Sequence, residues 1–154
     1  MEYLILKLVH VISATLLFGT GIGSAFYLLC VVLRRDVHVI AGVARLVVIA
    51  DWLFTASTAV LQPLTGLYLV HFMQLPLATT WIGWSLALYG VAIACWLPVV
   101  WLQMRMRDAA AAAARSGEPL PSGFWRSFAW WVALGVVAFV AFLAIFYLMI
   151  FKPA

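Results

Sequence analysis

The chain has 154 residues, 68% of them hydrophobic and 9% charged, with a mean hydropathy of +1.15. A soluble domain is about half apolar and a quarter charged, so this composition excludes a soluble globular fold and indicates an integral membrane protein. The net charge of +4 reflects basic loops at one membrane face, and no nucleic-acid partner is expected.

Four stretches are apolar enough to cross a bilayer core, which takes ~20 residues. They lie at about 4–33, 45–71, 80–104 and 126–151. In lipid each must be helical, because an unpaired backbone group there costs several kcal/mol. The expectation is a single all-α domain over 1–154, an integral membrane up-down four-helix bundle with short connections. The first stretch does not read as a cleavable signal peptide: it is too long, it opens on Glu2, and no small-residue cleavage pattern interrupts it.

The first span carries two ionisable residues, Lys7 and His10, in an apolar run. Helical spacing sets Tyr3, Lys7, His10, Ala14, Leu17, Gly21 and Ser24 on one face. Gly19 and Gly23 form a small-xxx-small pair that predicts close backbone approach. The second span presents Asp51, Thr55, Thr58, Gln62, Thr65 and Leu69, and Gln62 or a nearby threonine is expected to satisfy the carbonyl that Pro63 frees. The third presents Ser85, Tyr89, Ala92, Trp96, Val99 and Gln103. Polar groups within a span normally face the bundle interior, so these three stripes converge. The fourth span is bulky and aromatic without a polar stripe, and much of it is expected to face lipid.

Arg34, Arg35, Arg45, Arg105, Arg107, Arg115 and Arg126 fall in the connections after spans one and three, whereas the connection after span two has no Lys or Arg. The positive-inside rule assigns the connections after spans one and three to the cytoplasm of a bacterial inner membrane and puts both termini outside. The connection 105–125 is the only extended polar part; its alanine run is expected to continue the third helix until "SGEPLPSG" breaks it. Cys30 and Cys95 fall within spans and read as small apolar residues.

At ~1.5 Å per residue His10 lies about 10 Å below the outer surface, level with Thr65, Gly66 and Ser85. Imidazole in a bundle core is a common iron ligand. His10 is therefore a candidate haem b or metal ligand, in a site with Lys7, Gln62, Thr65, Gly66, Ser85 and, nearer the surface, His71. The alternative is that His10 hydrogen-bonds Gln62, Thr65 or Ser85. Asp51 needs a partner or a proton in the span. Gln103, the Trp101 indole or an arginine of the third connection are the candidate partners, and a proton relay through Asp51 and Gln103 is the functional alternative.

The strings "KLVHVISATLLFGTG", "ADWLFTASTAVLQPLTGLYLVH", "ALYGVAIACWLPVVWLQMRMRD" and "FKP" resemble a family of four-helix bacterial inner-membrane proteins of unassigned function. The layout is more distantly similar to the J-type protoporphyrinogen oxidases and, loosely, to copper-resistance D-type membrane domains. The shared features are His10 with Gly19, Pro63 before the run Gly66 to Leu69, Trp81, and Lys152-Pro153. The likeness to the oxidases implies haem b at His10; their helix-3 lysine is Ser85 here. The expected function is therefore haem-linked electron transfer or tetrapyrrole oxidation. The alternatives are an accessory subunit that packs on a membrane-protein partner or another copy through the fourth helix, or a solute or proton transporter using Asp51.

Overall fold

The computed structural model describes residues 1–153 and is all-helical among them. The helices are α1 (Glu2–Arg34), α2 (Val37–Ala50), a π-helical turn (Asp51–Thr55), α3 (Ala56–Phe72), α4 (Thr80–Ser116) and α5 (Ser122–Phe151). The segment α2–π–α3 is one continuous rod, so four rods are long and apolar enough to span a membrane. They run up and down. Both ends of the chain lie at one end of the bundle, the terminal end. There Tyr3 stacks on Phe72 and the Lys152 ammonium sits 5.6 Å from the centre of the Trp81 ring. The α1–α2 and α4–α5 connections lie at the other, basic end, with Arg35 in the first and Arg34, Arg115 and Arg126 in the adjoining helix ends.

The second rod begins at Val37, not at 45, because Asp36 caps it. Its carboxylate accepts from the backbone N–H of His38 at 3.0 Å and of Val39 at 3.1 Å, satisfying two donors that a helix start leaves free. Arg35, left-handed at φ 61°, closes α1 by donating its N–H to Val32 O. The connection between the first two rods is therefore two residues long. Asp36→Ala should lower stability by about 1 kcal/mol in denaturant titration, and Asp36→Asn should leave it near the parent value.

The alanine run continues α4 to Ser116, where Gly117 at φ 71° ends the helix. At 37 residues α4 is about 55 Å long, well beyond a hydrocarbon core of ~30 Å. Its arginine-rich end therefore projects from the membrane. There Arg107 Nε donates to Asp108 at 2.8 Å and holds the Asp108 carboxyl below its ordinary range.

Packing is uneven along the bundle. At the basic end α1, α2, α4 and α5 close around Leu28, Val32, Ile40, Met106 and Phe124. Toward the terminal end the rods sort into pairs, α1 with α3 and α4 with α5. The space between the pairs is not filled. The expected close approach at Gly19 and Gly23 does not occur: a Cβ added at either would meet nothing within 4 Å. The close approach is at Gly66, where an added Cβ would stand 3.2 Å from His10 Cε1. The outer faces of all four rods carry exposed Leu, Ile, Val and Phe, as lipid contact requires.

Candidate functional site: two cavities along the bundle axis

The three stripes read from helical spacing meet around two cavities. The one nearer the termini has a volume of about 450 Å³ and is walled by all four rods, with Lys7, His10, Gln62, Gly66, Ser85 and Tyr89 among its lining. The deeper one has a volume of about 380 Å³ and is lined by Asp51, Thr55, Trp96, Gln103 and Trp131 with apolar neighbours. Leu17 and Phe142 line both and form the partition. Phe18 braces it, stacked on Phe139 at 5.7 Å and edge-on to Phe146 at 5.2 Å.

In the first cavity His10 is held from α3. Its Nε2 lies 3.1 Å from Gln62 Nε2 and its Nδ1 lies 2.8 Å from Thr65 Oγ1. A neutral imidazole has one donor and one acceptor nitrogen. The Gln62 amide nitrogen is a donor, so Nε2 accepts and Nδ1–H donates to Thr65. The Thr65 hydroxyl then donates to Leu61 O, 2.8 Å away. Gly66 makes the arrangement possible, because only a residue without Cβ lets the ring lie this close to α3. Ser85 lines the cavity but donates to Trp81 O in its own helix at 2.7 Å, so it is not a partner of His10. Gln62 Oε1 is buried and unpaired.

The remaining expected site residues divide. Lys7 lines the cavity at its rim with its ammonium 5.9 Å from the centre of the Tyr3 ring. His71 is exposed at the end of α3 and does not line the cavity. The carbonyl freed by Pro63 belongs to Ala59, and its donor is the Tyr89 hydroxyl of α4, not Gln62 or a threonine of α3. Sequence reading also passed over α5. Phe142, Ile145, Phe146 and Met149 line the cavity at spacings of three and four, a helical stripe that was legible but apolar.

In the deeper cavity Asp51 is 3% exposed. Its Oδ1 accepts from Thr55 Oγ1 at 3.0 Å, and Gln103 lines the same cavity. Trp101 is exposed beneath the Arg105 guanidinium, 4.7 Å from the ring centre, so the indole is not the partner of Asp51. Arg45 is exposed on α2. Asp51 opens the π-helical turn, whose wide ring is closed by the Ala56 N–H on Asp51 O; such turns recur at functional sites.

The chemistry available to a bound group differs between the cavities. The first offers one imidazole, one ammonium, the thioethers of Met73 and Met149, and the polar side chains of Gln62, Ser85 and Tyr89 in a largely apolar wall. An imidazole whose Nδ1–H is anchored on a neighbouring oxygen is oriented as metal-ligating histidines are, and Nε2 is its lone-pair nitrogen. His10 is therefore the residue that would hold a metal cofactor here, and only with Nε2 released by Gln62. Among the described residues no three His, Cys, Asp or Glu side chains gather in a group that could hold a bare metal ion. Cys30 and Cys95 are both free thiols.

No curated protein and no solved structure matches the chain. A family model does match, over residues 4–153, a range that takes in the four membrane-spanning rods. The chain belongs to the predicted integral membrane protein family DUF2269.

Proposed function

We propose that this protein lies in the bacterial inner membrane with both termini outside, and that the cavity nearer the termini holds haem b for electron transfer or tetrapyrrole-linked oxidation. The orientation rests on the seven arginines gathered at the basic end and the positive-inside rule. The haem reading rests on one observation: an imidazole fixed through Nδ1 by Thr65, with its lone-pair nitrogen at the wall of an apolar cavity of about 450 Å³. His10 would hold the group through Nε2 after Gln62 turns aside, and Lys7 at the rim would meet an acidic substituent. Bound haem would supply one-electron chemistry, with its potential set by ligation and burial. The chain's own part is to orient the ring through Thr65 and Gly66 and to keep water from it with Leu17, Phe142 and Phe146.

A second reading draws on the other half of the same geometry. Both ring nitrogens of His10 are bonded to α3, and this fits a structural clamp between α1 and α3 in a non-enzymatic accessory subunit. An absorption spectrum of the detergent-purified protein, oxidised and then dithionite-reduced, separates the two. The haem reading expects stoichiometric Soret and α bands that vanish in His10→Ala and persist in His71→Ala. A bare spectrum from cells supplied with haem leaves the clamp.

A further inference from the structure

We propose that the deeper cavity is a separate binding site for a lipid-soluble molecule that carries a protonated amine. Four observations carry this.

The first is charge. Asp51 is a carboxylate set 3% exposed inside an apolar bundle, and no Lys or Arg reaches it; among the described residues the one ion pair is Arg107 with Asp108. A buried carboxylate takes a proton or a cation, because an unpaired charge in that setting costs far more than a polar contact returns.

The second is unmet hydrogen bonding. Gln103, 4% exposed, lies beside Asp51 and leaves Oε1 buried with no partner. Asp51 and Gln103 Oε1 are both acceptors, and an ammonium group has only donors to give. Trp96 and Trp131 line the same cavity, and their indole N–H groups are also buried without partners.

The third is the wall itself. Trp96, Trp131 and Phe139 line the space, and aromatic rings attract cations that are shielded from water.

The fourth is access. Ile22, Phe26 and Val136 line the cavity and are also about half exposed or more on the lipid-facing surface, at 45%, 60% and 55%. The cavity therefore opens sideways between α1 and α5, and its occupant arrives from the bilayer with an apolar body. The Leu17 and Phe142 partition separates it from His10, so the site does not depend on what the first cavity binds.

The test uses the full chain in lipid nanodiscs with its eight tryptophans replaced by a fluorinated analogue, read by fluorine NMR. Trp96→Phe and Trp131→Phe assign the two wall resonances. Aminoadamantane is the probe, and adamantanol is its uncharged counterpart of the same shape. The amine should shift both wall resonances saturably, the alcohol should not, and Asp51→Asn should weaken the amine by about tenfold or more. His10→Ala should leave the titration unchanged. Equal responses to amine and alcohol in the parent protein would overturn the proposal without any variant having to fold. So would the absence of a saturable shift, or parent-like amine affinity in a folded Asp51→Asn. Should Asp51→Asn fail to fold, Gln103→Leu takes its place: it removes the second acceptor and should also weaken the amine, and parent-like affinity there would overturn the proposal.

Discussion

Phe124→Ala should cost about 3–5 kcal/mol, the largest loss expected from any single truncation in this chain. Phe124 is 2% exposed and packs with Leu28, Val32, Ile40 and Met106 where α1, α2, α4 and α5 converge. These residues lie near the start of α5 and beside the projecting end of α4, where water is the competing solvent. The hydrophobic transfer term therefore applies there together with the cavity term. Phe142 provides the contrast. It lies within the span and already borders empty space on two sides. Lipid tails are as apolar as the core, so its removal forfeits packing alone, and Phe142→Ala should cost clearly less than Phe124→Ala. Unfolding of both variants in mixed micelles checks the ordering. Equal losses would show that stability is not concentrated at the basic end.

That unevenness bears on function. A dense core at one end anchors the four rods, and the other end can then stay hollow without the bundle falling apart. Two cavities in a chain of this length displace packing that would otherwise stabilise it. The polar groups around them are correspondingly tied back to their own helices: Ser85 to Trp81, Thr58 to Phe54, Thr65 to Leu61. Gln62 in the one lining, and Gln103, Trp96 and Trp131 in the other, each keep a buried polar atom without a partner.

How much of this was legible in the sequence varies with the range of the interaction. The inward stripes of the first three spans were legible because helical periodicity is local and a polar residue in lipid has nowhere else to face. His10 with Gln62 and Thr65 followed from depth along antiparallel rods. The second rod starts at Val37 and not at 45 because Asp36 is a strong N-cap, a signal that hydropathy does not weigh. Gly19 and Gly23 looked like a contact motif, but whether a second helix passes there is a tertiary fact, and none does. The π-helical turn at Asp51 and the inward stripe of α5 left no polar signature. The spacing of the α5 stripe is local, but which apolar face turns inward depends on how the rods cross.

Tyr89 shows the same point at a single hydrogen bond. Pro63 has no N–H, so the carbonyl of Ala59, four residues earlier, loses its helical donor. The Tyr89 hydroxyl of α4 supplies the replacement. The bond joins α4 to the α3 rod between the two cavities, since Tyr89 lines one and Ala59 the other. Tyr89→Phe keeps the ring and removes only the donor. It should cost about 1–3 kcal/mol, the usual penalty for a buried polar group left alone. Pro63→Ala gives residue 63 an N–H that can restore the bond to Ala59 within the helix. In that background the same Tyr89→Phe change should cost less than half as much, because the carbonyl no longer depends on α4. A double-mutant cycle in denaturant measures this coupling directly. Additive losses would mean that the Tyr89 hydroxyl does not act through the carbonyl that Pro63 frees. A positive coupling would identify the proline and the tyrosine as one device, a break in one helix and the strap that bridges it, set at the boundary between the two cavities.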